Sequence, residues 1–268
     1  MKPIVFLSDF GSRDPYVGVV KGVIASITGG SIPVIDLTHD IPSFNIVSAA
    51  YVLFSYYKYF PKDSIFLVVV DPGVGTSRRA IVIRSRHYYF VAPDNGVVWP
   101  AANDDGIVWV REIDYTSKLL PKAKSHTFHA RDVFAPIVAY LAMGIDENVI
   151  GPLINPSNII RLSLVDECRL DNQGCLNARA IYIDHFGNVA LSLLKECYRT
   201  LCKYGVVRVI VGDKDIEAKC GRTFGDVAIG DMIVYVNSAG FIEIAVNQGD
   251  ASKRLGLSVN DRVRLCLK

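Results

Sequence analysis

Apolar and polar positions alternate in two distinct regimes along the chain. From Lys2 to about Gly144, short apolar runs of strand length are separated by longer helix-like segments. "PIVFLS", "YVGVVKGVIASIT", "IPVIDLT", "IVSAAYVLFSYYKYF" and "SIFLVVV" follow one another as strand, helix, strand, helix, strand. Strands that are apolar at nearly every position are covered on both faces, so this order predicts a mostly parallel sheet between helices. Residues 80 to 111 interrupt it. "AIVIRS", "HYYFVA" and "IVWVRE", divided by turn signals such as "PDNG", predict hairpins grafted onto the α/β core. "RDVFAPIVAYLAMG" then reads as a helix with Pro136 at a kink or a late start.

Gly151 to Gly174 mixes turn residues with short apolar pieces and reads as a connection. Beyond it, "LNARAIYIDHFGNVALSL", "GVVRVIVGD", "MIVYVNSAGFIEIAV" and "DRVRLCLK" are short strands punctuated by Gly, Asn and Asp, a pattern of a small β-barrel or sandwich. "LLKECYRTL" and "DASKRLGL" suit short helices within it. The expected organisation is an α/β domain over 1–160, a linker over 161–174 and a smaller C-terminal β-barrel over 175–268.

Composition narrows the class. Half of the 268 residues are hydrophobic, enough for one large or two ordinary cores. A net charge of +2 with both signs interspersed gives no basis for nucleic-acid binding or for a polybasic membrane patch. The opening "MKPIVFLSDFG" is too short for a signal h-region, no run approaches a bilayer span, and a cytoplasmic protein is expected. The cysteines at 168, 175, 197, 202, 220 and 266 form no C-x-x-C pair, so they are read as buried, reduced hydrophobes.

Candidate chemistry lies where strands end, the position at which open α/β sheets build sites. In "SDFGSRD", Asp9 leaves an apolar strand and could accept from both hydroxyls of a ribose, while Asp14 could cap the following helix. "VVVDPGVGTSRRAIVIR" looks like a phosphate loop, but the run after its glycines is a strand and not the helix such a loop requires. That leaves Asp71 and Arg78 at the two ends of a tight turn. "HTFHARD" places His126 and His129 in an H-x-x-H pair that no nearby residue completes as a metal set, with His129 exposed just before a helix. In "IDHFGN" (Asp184, Phe186, Asn188) and "NSAG" (Asn237, Ser238) turn chemistry alone accounts for the polar residues. Phe186 and Phe224 are aromatics in polar loops, able to plug a core or to stack on a ring.

"FLSDFG", "DPGVGTSRRAI", "HTFHARDVFAP", "IDHFGN" and "NSAGFIEIAVNQGDASKRLG" together resemble the S-adenosyl-L-methionine hydroxide adenosyltransferases, relatives of the enzymes that halogenate the same substrate. The resemblance runs over nearly the whole chain and implies a homotrimer whose substrate lies between the N-terminal domain of one subunit and the C-terminal domain of its neighbour. It implies that Asp71, Arg78 and His129 form a triad around an attacking water, with His129 protonated. The halogenating branch is similar but carries Tyr where this chain has Asp71 and His129. By the same resemblance Asp9 binds the ribose, Asp184 and Ser238 hold the methionine half, and Asn188 with Gln248 to Ala251 meets the adenine. Phe44 and Phe224 pack around the nucleoside. Ala239 stands where those relatives have an Arg, so the carboxylate clamp is left without a side chain. No metal or redox cofactor is called for. A halide-dependent transferase and a non-catalytic S-adenosylmethionine or adenosine binder are the alternatives.

Overall fold

A computed structural model describes residues 2–268; Met1, the first residue of the expected N-terminal domain, lies outside the described residues. The chain divides into two compact units, with the division between Leu162 and Ser163. Residues 163–174, expected as part of a linker, go with the second unit.

The first unit is built on seven strands: β1 (Ile4–Ser8), β2 (Val34–Thr38), β3 (Ile65–Val69), β4 (Ala80–Ser85), β5 (Tyr89–Pro93), β6 (Ile107–Glu112) and β7 (Leu153–Ile154). They form one sheet in the order β2-β1-β3-β5-β4-β6-β7. β2, β1, β3 and β5 run parallel. β4, β6 and β7 are antiparallel to their neighbours, so the sheet is mixed, with the expected hairpin strands forming its second half. β1 and β3 are buried at all five positions, as their unbroken apolar runs require. α1 (Tyr16–Thr28) and α4 (Ala135–Ala142) pack on one another, with Val20, Ile24, Val138 and Leu141 in the shared core. α2 (Ile46–Tyr56) and the seven-residue α3 (Trp99–Asp105) pack together as well. α3 was not foreseen: it follows directly on the "PDNG" turn signals.

The second unit is a closed barrel in the order β10-β11-β12-β13-β9-β8-β14. Its strands are β8 (Cys175–Ile183), β9 (Val189–Leu194), β10 (Val206–Val211), β11 (Lys214–Cys220), β12 (Met232–Val236), β13 (Phe241–Val246) and β14 (Arg262–Leu267), with short helices α5 (Tyr198–Leu201) and α6 (Ala251–Leu255). Period-two alternation sends Met232, Val234, Ile242 and Ile244 into the barrel core and Ile233, Tyr235 and Ala245 into a separate cluster on the other face.

The cysteines are not reduced. All six pair, as Cys168–Cys197, Cys175–Cys266 and Cys202–Cys220. Barrel closure explains why spacing gave no sign of this. Cys175 and Cys266 lie 91 residues apart but face each other in the β8–β14 register.

Candidate active site

Three strand ends in the first unit converge on one cavity of about 330 Å³, lined by Asp9, Asp14, Phe44, Asp71, Thr127 and His129 among others. Asp9 follows β1. Its loop is tied down by a Ser8 Oγ–His39 Nδ1 hydrogen bond of 2.7 Å and by Gly11 N–H donating to the His39 carbonyl at 2.8 Å. Asp9 Oδ2 accepts from the Phe44 N–H at 2.8 Å. Phe44 is held at φ +65°, in the left-handed region, with its ring 69% exposed. A bulky side chain in that conformation is strained, and such strain collects at working sites. Burial raises the Asp9 pKa above its ordinary value against the Phe44 hydrogen bond, and the Asp71 charge adds to the rise. Asp14 does not cap α1, whose N-cap is Pro15 with no side-chain bond; it lines the cavity instead.

Asp71 and Arg78 close the β3–β4 turn on each other. Arg78 Nε donates to Asp71 Oδ1 at 3.0 Å and Oδ2 at 3.1 Å, and Nη2 also donates to Oδ2. Burial opposes the guanidinium charge, yet the Asp71 carboxylate keeps its pKa above the ordinary value. Both side chains are nearly covered, and the Arg78 guanidinium also lies 5.4 Å from the Phe134 ring centroid. Nη2 reaches His129 Nδ1 at 2.9 Å. The turn therefore brings together the three residues that the resemblance implies as a triad.

His129 begins a π-helical turn, Ala130–Phe134, ahead of α4, with Pro136 in the first turn of that helix. Such turns widen a helix by one residue and recur at functional sites. The ring is buried, 8% exposed, contrary to the expected exposed histidine. Burial first and the Arg78 cation second hold its pKa below the ordinary value, outweighing Asp71 and Asp132. A protonated His129 is therefore not what this environment favours. Among the described residues no group of three His, Cys, Asp or Glu could hold a metal.

In the second unit, Asp184 organises its own loop. Its Oδ1 accepts from the Phe186 and Asn188 N–H groups at 2.9 Å each, and its Oδ2 from Asn188 Nδ2 at 2.8 Å. Asn188 is thereby buried. Ala251, expected at a ligand, has no exposed surface and packs in the barrel core, because it opens α6 beneath that loop. Gln248 is exposed at φ +52°. Ser238 is exposed at the β12–β13 hairpin tip, whose Asn237 Oδ1 accepts from Ala239 and Phe241 N–H at 3.0 Å.

Asp184 and Ser238 stand at opposite ends of β13, since Ile244 pairs with Val189 and Phe241 with Leu194. Glu243, which no sequence signal singled out, lies on β13 between Phe241 and Ile244. It accepts from Asn237 Nδ2 at 2.7 Å and from the Tyr235 hydroxyl, and burial together with the nearby Asp184 charge raises its pKa. Tyr235 in turn meets the half-exposed Phe224 ring at 5.4 Å between centroids. Tyr115, also missed, bonds Arg78. Neither residue sits in a motif; only strand register and a loop crossing bring them in.

The chain resembles proteins of one kind throughout. It is 38% identical to the "(R)-S-adenosyl-L-methionine hydrolase" of Thermus thermophilus, over 99% of this chain and 100% of that protein. It is 39% identical to the protein of that name in Salinispora tropica, over 98% and 97%. A fluorinase from Actinopolyspora mzabensis is more distant, at 26% identity over 98% and 97%. The fold matches a crystal structure of an uncharacterized conserved protein from Thermotoga maritima with a TM-score of 0.89 and 40% identity, over 98% and 100% of the two chains. Residues 4–151 match the SAM hydroxide adenosyltransferase N-terminal domain and residues 178–264 the C-terminal domain. The chain belongs to the SAM hydroxide adenosyltransferase family.

Proposed function

We propose that this chain hydrolyses S-adenosyl-L-methionine, in the (R) form that its relatives' names carry, to adenosine and L-methionine. The observation that carries the proposal is the Asp71–Arg78–His129 assembly at a cavity also lined by Asp9 and Phe44. Water attacks the ribose C5′: an oxygen–carbon bond forms, the carbon–sulfur bond breaks, and its electron pair stays on sulfur. The leaving group departs as a neutral thioether and needs no acid. Only the nucleophile needs help. Asp71, steadied by Arg78 but with acceptor capacity left, takes the proton of the water and holds it for in-line attack. This chemistry calls for neither a metal nor a redox cofactor, because no electron leaves the system and the sulfonium is already activated.

In this reading Asp9 accepts from the ribose hydroxyls, and Asp184 and Ser238 hold the methionine half. Asn188 and Gln248 border the adenine, while Phe44 and Phe224 flank the nucleoside. The substrate carboxylate is left to backbone N–H groups near Ala239. Homotrimer assembly, with each site shared between neighbouring subunits, would unite residues that this chain distributes over two units. The edge strand β2, with Ile35 exposed, and the uncovered Val19 on α1 are surfaces that suit such an interface. No helix among the described residues is long and apolar enough to cross a membrane. We place the enzyme in the cytoplasm, where intracellular disulfides are best known from hyperthermophiles.

The halide-using alternative conflicts with Asp71, whose carboxylate would repel an incoming anion. Mass spectrometry of the products formed with and without chloride tests the proposal. Adenosine plus methionine in both is expected; a 5′-chloro nucleoside would favour the halide reading, and tight binding with no product would favour a binding protein.

A further inference from the structure

The Asp71–Arg78–His129 assembly has a fourth member. Tyr115 lies in the loop after β6; its hydroxyl accepts from Arg78 Nη1 at 3.2 Å and lies 3.5 Å from His129 Nδ1, with the two rings 5.6 Å apart. Arg78 Nη2 approaches the same Nδ1 at 2.9 Å. A guanidinium has donors only, so Nδ1 must receive with its lone pair. The one proton of the neutral ring is then on Nε2. We propose that Tyr115 is a positioning residue: by holding Nη1 of Arg78 it aims Nη2 at His129 and fixes that ring as the neutral Nε2–H tautomer, a hydrogen-bond donor toward the nucleophile.

Every charged or titratable group around the ring bears on this. Arg78 and His126 stand against a second proton, whereas Asp71 and Asp132 favour it, and the Tyr115 hydroxyl lies 3.5 Å from Nδ1. Burial and Arg78 prevail, and the pKa is held down. A proton added at Nδ1 would also point at a guanidinium N–H. The consequence for catalysis rests on the hydrolysis proposed above. The water's proton passes to Asp71, its oxygen bonds to C5′, and His129 neither gains nor loses a proton. Its Nε2–H steadies the oxygen as negative charge develops. Tyr115→Phe keeps the ring and removes the acceptor that orients Arg78.

The test is two-bond 1H–15N correlation on protein labelled with 15N-histidine between pH 5.5 and 8, with His129→Gln identifying the signals. At pH 7 the parent His129 is expected neutral with its proton on Nε2. Tyr115→Phe, checked for fold by circular dichroism, is expected to show mixed tautomers or a ring that titrates, with kcat about tenfold lower and KM within about twofold. Arg78→Lys, which cannot reach both partners at once, should change the spectrum in the same way. An Nδ1–H tautomer or an imidazolium in the parent at pH 7 overturns the proposal. So does a Tyr115→Phe protein whose His129 spectrum and kcat match the parent. The spectrum is read without substrate, so a protein that holds the tautomer and releases no adenosine would sink the hydrolytic reading alone.

Discussion

The α-carbon of Gly75 sits against the carbonyl of His126: a Cβ built there would lie 2.6 Å from that oxygen, on a backbone already at φ +79°. This close approach lets the Asp71–Arg78 turn lie against the segment that carries His129. Gly75 of "DPGVGT" thus allows two loops to meet.

Gly75→Ala is therefore expected to cost about 1–3 kcal/mol, the usual scale for forcing a side chain into that conformation, with the contact to a backbone oxygen adding to it. Thermal unfolding measures the loss. The kcat should fall as well, because Asp71 and Arg78 shift relative to His129. A variant with parent melting temperature and parent rate would mean that the contact sets nothing.

The pH dependence follows from two opposite shifts. Asp9 accepts from both ribose hydroxyls best when ionised, and its raised pKa means that kcat/KM falls as pH drops through a value higher than that of an ordinary aspartate. His129, with its pKa lowered, contributes no limb near 6.5. The acidic limb should survive in His129→Gln, at a lower absolute rate. Its disappearance in that variant would reassign the limb to the histidine.

Much of the fold is legible in the chain, and the reasons are local. β1 (four apolar residues, then Ser8) and β3 (five apolar residues) are buried at every position, and α6 follows Asp250, whose carboxylate caps Lys253 N–H at 2.8 Å. Closure of the barrel is not legible, since period-two strands suit a sandwich equally. The Cys175–Cys266 link depends on the β8–β14 pairing of first and last barrel strands, which the spacing of cysteines does not show. At the site, Asp9 and Asp71 stand out as carboxylates just beyond apolar runs, and Arg78 as the far end of the turn that Asp71 opens. Tyr115 and Glu243 do not, because one lies in an unpatterned loop and the other is a polar position on a strand.

The disulfides carry their own prediction. Unfolded without reductant, the protein should expose no thiol to Ellman's reagent. Reduction should lower the melting temperature, the Cys175–Cys266 link across 91 residues alone contributing about 4–5 kcal/mol by chain entropy. Six titratable thiols in the unreduced chain would restore the reading of reduced cysteines.

A shared site predicts complementation. Asp71→Asn and Asp184→Ala subunits, each impaired alone, should regain part of the parent activity when unfolded and refolded together, and light scattering should give three times the subunit mass. An active monomer would exclude the shared site.

The most direct measurement is hydrolysis in oxygen-18 water, run with the parent and with Asp71→Asn. Attack at C5′ places the label in the 5′-hydroxyl of adenosine and leaves methionine unlabelled, while Asp71→Asn should bind substrate with little change and lose about 10²- to 10⁴-fold in kcat. Unlabelled adenosine, or an Asp71→Asn protein turning over at the parent rate, would contradict water activation by this turn.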